Sequence, residues 1–165
     1  SLEVHAAEVR TESGVAVASF AVSPRFGGLP DPALLRADLV RVLEGGLALE
    51  DALARKERDY APTAEVVEQT TPPRIFWFDD EATGAVVLEL RGRDRIGLLH
   101  RVAKALESEA VDVRWARVAT LGASVVDSFG VAGEGADGTV PRTERKRIER
   151  AVLQAVGERA AATKR

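Results

Sequence analysis

An internal repeat constrains this chain more than any other feature. Residues 4–22 and 113–131 match at a fixed offset of 109: Val4, Ala7, Val9, Thr11, Val17, Ser19, Phe20 and Val22 recur as Val113, Ala116, Val118, Thr120, Val126, Ser128, Phe129 and Val131. β-Branched and aromatic residues dominate both copies. Each is interrupted at the same place by a glycine-containing turn, Glu12-Ser13-Gly14 and Leu121-Gly122-Ala123. The pattern predicts two β-hairpins. A turn-rich stretch with proline follows each hairpin, and then apolar residues at helical spacing: Leu35, Leu39, Val42 and Leu43 after the first, Ile148, Ala151, Val152, Ala155 and Val156 after the second. The unit of hairpin plus helix is therefore present twice.

Between the copies, Ala61 to Pro73 is polar with three prolines and reads as a linker. Ile75 to Phe78 is a short aromatic strand closed by Asp79-Asp80. Residues 85–91 alternate with Val86, Leu88 and Leu90 on one face, and a helix over about 96–109 places Ile96, Leu99, Val102, Ala103 and Leu106 along one side. The carboxy-terminal half thus reads as a ferredoxin-like βαββαβ unit without its last strand. The amino-terminal half reads as the same unit without its first strand and helix, closed by 75–78. The expected fold is α+β, with an incomplete unit over 1–80, including the linker 61–73, and a second unit over 84–160, helices on one sheet face. On this reading the chain is a fragment of a larger protein whose missing strand and helix lie upstream of Ser1. The open strand edges are expected to pair, within the chain or in a homo-oligomer.

Composition removes several function classes. With no cysteine there are no disulfides or thiolate metal sites, and the two histidines, His5 and His100, are too far apart in sequence to suggest a histidine-rich metal site. The formal net charge of −3 argues against a phosphate-coating nucleic-acid binder. No apolar run is long enough to span a membrane and no signal peptide is visible at Ser1, so a cytoplasmic location is expected.

The most informative local stretch is Arg91 to Arg101, which joins the strand over 85–91 to the following helix. Gly97 at the opening turn allows backbone N–H groups to approach a ligand, and a helix start presents unpaired donors at the positive end of its dipole. The N–H groups around Ile96, Gly97, Leu98 and Leu99 would suit a carboxylate, and Asp94 an ammonium, so the stretch forms a grip for a free amino acid. The plainer reading is that Asp94 caps the helix and Gly97 permits close packing. His100 and His5 read as surface or packing residues, Trp77 as core, Arg142 to Arg147 as a solvated charged face, and Asp127 as partly covered with no assigned chemistry.

Asp94-Arg95-Ile96-Gly97-Leu98-Leu99 after a strand, with Val118 to Gly122 and Val126-Asp127-Ser128-Phe129 in a hairpin, resembles an ACT domain, a small amino-acid-sensing module. The extension to His100-Arg101, Leu121-Gly122 at the turn, and the preceding Phe76 to Ala82 are most similar to the tandem ACT repeats of bifunctional PII uridylyltransferase/uridylyl-removing enzymes. The resemblance covers 75–156 well and 4–60 through the internal repeat. Two positions differ from the usual pattern: Ile96 stands in place of a proline and Gly130 in place of an aromatic residue.

The resemblance implies a regulatory module for nitrogen metabolism that senses an amino acid, glutamine by family, and acts on the PII signalling protein through a parent nucleotidyltransferase and hydrolase. It implies magnesium for the parent enzyme and no cofactor in this region. Transfer by the parent could be uridylyl or adenylyl. The chain has neither a His-Asp dyad nor a nucleotidyltransferase signature, so no catalytic residue is assigned. Two other readings stand beside this one: a ligand-free ACT-repeat oligomerisation module, and an RNA-binding sheet using Trp115 and Phe129.

Overall fold

The computed structural model describes residues 2–24, 27–59, 72–80, 85–133 and 138–157. The elements in chain order are β1 (Leu2–Glu12), β2 (Val15–Pro24), α1 (Pro32–Leu43), α2 (Leu49–Asp59), β3 (Arg74–Asp80), β4 (Ala85–Arg93), α3 (Leu98–Ser108), β5 (Asp112–Leu121), β6 (Ser124–Ala132) and α4 (Arg142–Gly157). Most of the expected linker, residues 61–71, lies outside the described residues. The fold is α+β, with all six strands in one antiparallel sheet of order β2-β1-β5-β6-β4-β3.

Both repeats fold as hairpins, and their details coincide. Ser13 and Gly14 have φ of 50° and 78°, the paired positive values of a two-residue hairpin turn matched to strand twist. At the corresponding place Gly122 has φ of 64°. Each hairpin also carries a bulge, between Val4 and Ala6 in one and between Val113 and Trp115 in the other, at repeat-equivalent positions.

The hairpins meet edge to edge through β1 and β5, where Ala7 pairs Val118, Glu8 pairs Arg117 and Val9 pairs Ala116. The repeat equivalents of Ala7, Glu8 and Val9 are Ala116, Arg117 and Val118. Each residue therefore faces the counterpart of its mirror position, and a pseudo-two-fold axis passes between Glu8 and Arg117.

The symmetry stops at the core. Val86, Leu88 and Leu90 of β4 and Val125, Phe129 and Val131 of β6 are covered by Leu98, Val102, Ala105 and Leu106 of α3 and by Ile148, Val152 and Val156 of α4, all buried. Phe129 is 5% exposed and its repeat partner Phe20 is 55% exposed, because among the described residues no helix covers β2 as α3 and α4 cover β6. Helix α1 forms as expected, with Asp31 capping it through the Ala33 N–H at 2.8 Å and Pro32 opening its first turn, yet it buries none of its residues.

Two elements depart from the sequence-based expectation. The strand over 75–78 was expected to close the first unit, whereas β3 pairs with β4, Ile75 opposite Leu90 and Trp77 opposite Leu88. It thereby fills the fourth strand position of the second unit's sheet. The cause is the period-two pattern of β3, which turns Ile75 and Trp77 toward the main core and leaves Phe76 and Phe78 on the other face. Helix α2 was not anticipated at all. Charged residues outnumber its four apolar ones and mask the short stripe that Leu49, Ala52 and Leu53 form at helical spacing.

Phe129 belongs to the core, so it is unavailable for base stacking, and the RNA-binding reading loses one of its two aromatics. Trp115 lies over Gly130 on the neighbouring strand, where an added Cβ would overlap the indole ring. Aromatic bulk over Gly130 is thus supplied by Trp115 from β5. Gly130→Ala is expected to lower stability by about 1–3 kcal/mol through overpacking. Adding Trp115→Ala to that variant should recover most of the loss, and denaturant midpoints of the two single variants and the double variant measure the coupling.

Candidate functional site

The turn between β4 and α3 has a definite geometry. The Leu98 N–H donates to the Arg95 carbonyl at 3.1 Å, and Gly97 at the third position has φ 74° and ψ 10°. These are the values of a type II turn, whose third position demands glycine and whose second position, here Ile96, is one that proline favours. Gly97 is the residue that caps α3, with no side-chain cap, so Asp94 is not the helix cap.

The predicted site residues are brought together in part. Asp94 is exposed, with its N–H donated to the Ala123 carbonyl at 2.9 Å. Ile96 and Leu99 are half-buried and Leu98 is buried in the core. Because the turn engages the Leu98 N–H, the donors left to a ligand at this end of α3 are those of Gly97, Leu99 and His100. The neighbouring Arg95 side chain donates to the Val156 carbonyl at 2.8 Å, tying the turn to the end of α4.

The sequence reading missed what lies over this turn. Helix α2 runs beside α3, and a groove of about 310 Å³ separates them, reaching from Gly97 to Lys104. Leu53 of α2 comes within 3.5 Å of where a Cβ on Gly97 would stand. Arg101 donates to Glu57 Oε2 at 2.7 Å and to the Ile96 carbonyl at 3.0 Å, and Lys104 pairs with Glu50. The Lys104 ammonium holds the exposed Glu50 carboxyl below its ordinary range. His100, read from sequence as a surface or packing residue, lines this groove, and its Nε2 is shut away from solvent without a hydrogen-bond partner.

Three relatives carry the same printed name, bifunctional uridylyltransferase/uridylyl-removing enzyme. One from Mycobacterium tuberculosis is 35% identical over 170 residues, covering 95% of this chain and 20% of the relative. One from Streptomyces coelicolor is 42% identical over 142 residues, 81% of this chain and 17% of the relative, and one from Rhodospirillum rubrum is 37% identical over 119 residues, 70% and 12%. The chain is homologous to a region of the bifunctional uridylyltransferase/uridylyl-removing enzyme. It spans about a fifth or less of the length of these relatives. No protein-family model and no solved structure matches it.

Among the described residues no group of three or more His, Asp or Glu comes together as a metal site. Among the described residues no helix is long and apolar enough to cross a membrane. The Arg142 to Arg147 run is not merely a solvated face: Arg145 pairs with Asp79 and donates to the Val140 carbonyl at 2.9 Å, and Arg147 meets Glu109 at 2.7 Å.

Asp127 is the one buried charged residue among those described, fully buried on β6 with neither carboxylate oxygen hydrogen-bonded. Burial pushes its carboxyl up to about 7 and the Asp94 carboxylate adds to the rise; the nearby Ala119 N–H, which falls short of a hydrogen bond, pulls weakly the other way. A folded-state pKa above the unfolded value favours the protonated form, so this group's contribution to stability is lost as pH climbs from about 4 to about 7 and is level above that. Asp127→Asn keeps the shape and removes the titration. It should be more stable than the parent at pH 8, by on the order of 2–4 kcal/mol, with the gap closing toward pH 4. Denaturant unfolding of both chains at pH 4.5, 6 and 8 gives the comparison.

Proposed function

We propose that this region is the amino-acid-sensing part of a bifunctional uridylyltransferase/uridylyl-removing enzyme, an ACT-type module that binds glutamine and regulates the enzyme's action on PII in the cytoplasm. The observation that carries the reading is the type II turn with Gly97 at its third position, which leaves the N–H groups of Gly97, Leu99 and His100 at the start of α3 outside the turn's own hydrogen bond, with Asp94 exposed three residues before Gly97. The ligand carboxylate takes the N–H groups of Gly97, Leu99 and His100, where the helix dipole favours negative charge. The ligand ammonium lies near Asp94, and Ile96 and Leu98 set the turn without touching polar groups of the ligand. The relatives' printed name supplies the enzyme; the turn supplies the ligand class.

A second reading, a ligand-free oligomerisation module, draws on the free outer edge of β2 and on Phe20, Leu35 and Leu39, all left exposed. Calorimetric titration with glutamine, glutamate and alanine separates the two. On the sensing reading Asp94→Ala weakens glutamine by roughly ten- to a hundred-fold, the loss of one charge-assisted contact. Gly97→Val abolishes binding, because a branched residue is strained at this φ and its side chain meets Leu53. Heat-free titrations with all three amino acids, together with a dimer by sedimentation, would favour the second reading.

A further inference from the structure

Helix α2 stands over the turn that opens α3 and brings a carboxylate to it. Leu53 comes within 3.5 Å of where a Cβ on Gly97 would stand, and Nη2 of Arg101 within 3.6 Å of the same point. Arg101 is held there by two acceptors, the Ile96 carbonyl at 3.0 Å and Glu57 Oε2 at 2.7 Å. The pair is largely withdrawn from water, the Arg101 and Glu57 side chains being 25% and 17% exposed. An anion is therefore already present beside the start of α3, where a helix favours negative charge, and the chain itself supplies it.

The hold on α2 is slight. None of its residues is buried, and its sheltered side is the half-buried set Ala52, Leu53, Ala54 and Glu57. A second tie to α3, from Lys104 to Glu50, is exposed at both ends and of the kind that contributes little. An element with so few buried contacts opens at low cost. Arg101, by contrast, belongs to α3, which is anchored in the core through Leu98, Val102, Ala105 and Leu106. The cation therefore stays at the turn when α2 leaves it.

We propose that the α2–α3 contact is autoinhibitory: Glu57 stands in at Arg101 for the carboxylate of a bound amino acid, so that α2 and the ligand exclude one another at the β4–α3 turn. The inference rests on the amino-acid-binding reading and adds to it a carboxylate partner, Arg101, and a displaced element, α2. The ligand carboxylate at the turn's N–H groups takes the guanidinium donor that Glu57 gives up, one charge-assisted bond replacing another. Docked α2 lowers the apparent affinity in proportion to the fraction of molecules in which it is released. Because α2 lies between α1 and β3 in the chain, its release carries ligand occupancy to the amino-terminal half.

The test sets the two members of the ion pair against each other in calorimetric titrations of the chain with glutamine. Glu57→Gln keeps the shape of the side chain and removes the competing charge, so glutamine should bind about threefold to tenfold more tightly than to the parent. Arg101→Gln releases α2 as well but takes away the carboxylate partner, so glutamine should bind about tenfold more weakly. A pair with a merely structural role would move both variants in the same direction, and that result overturns the inference while leaving the amino-acid reading standing. Hydrogen exchange of the parent's residues 49–59 is the second measurement. Saturating glutamine should speed exchange across α2; slower exchange would make α2 a cover that closes on the ligand and overturns the inference. No binding of glutamine to the parent or to Glu57→Gln overturns the amino-acid reading and this inference together.

Discussion

The antiparallel contact between β1 and β5 is what the rest of the structure depends on. It converts two hairpins into one sheet, and it does so with each strand offering its partner the counterpart of its own sequence. Near-identical strands pair well in this way because a two-fold axis perpendicular to the sheet satisfies every backbone group on both edges at once. The ion pair at the axis, Arg117 to Glu8 at 3.9 Å, is exposed and adds little; the ladder of backbone hydrogen bonds and the packing of Ala7, Val9, Ala116 and Val118 hold the junction.

The junction joins halves of unequal solidity. One half has a full core under α3 and α4, with β3 closing the outer side of β4. The other has a hairpin and a helix whose apolar residues face outward. Elements with few buried contacts open most easily, so the amino-terminal half is the part of this chain best able to change position in response to a ligand. Helix α2 belongs to that half by sequence but touches α3, which places the proposed site between a firm scaffold and a movable wall.

The site's chemistry follows from one backbone conformation. A left-handed residue at the third position of the turn is accessible to glycine without strain, and it sets the direction in which α3 starts and its free N–H groups point. Arg95 on one side and Arg101 on the other fix the turn against α4 and α2. Asp127 lies in the same unit, buried and without a hydrogen bond, and stores a pH dependence that no surface feature reveals.

The sequence by itself determined the local structure: both hairpins with their turns, helices α1, α3 and α4, the strands β3 and β4, and the glycine turn between β4 and α3. These are encoded in period-two and helical spacing, in glycines that only certain turns require, and in a repeat visible without any coordinates. Tertiary structure decided the partners. Which strand β3 would join, which copy of the repeated phenylalanine would be buried, and which side chains would meet Gly97 depend on residues far apart in the chain, Leu53 and Glu57 among them. Local patterning sets the faces an element offers; burial and charge pairing across the fold choose what each face meets. Asp127 shows the same division, since its position on a strand could be read directly, but the burial of its carboxylate arises only when β4 and β5 flank it on either side.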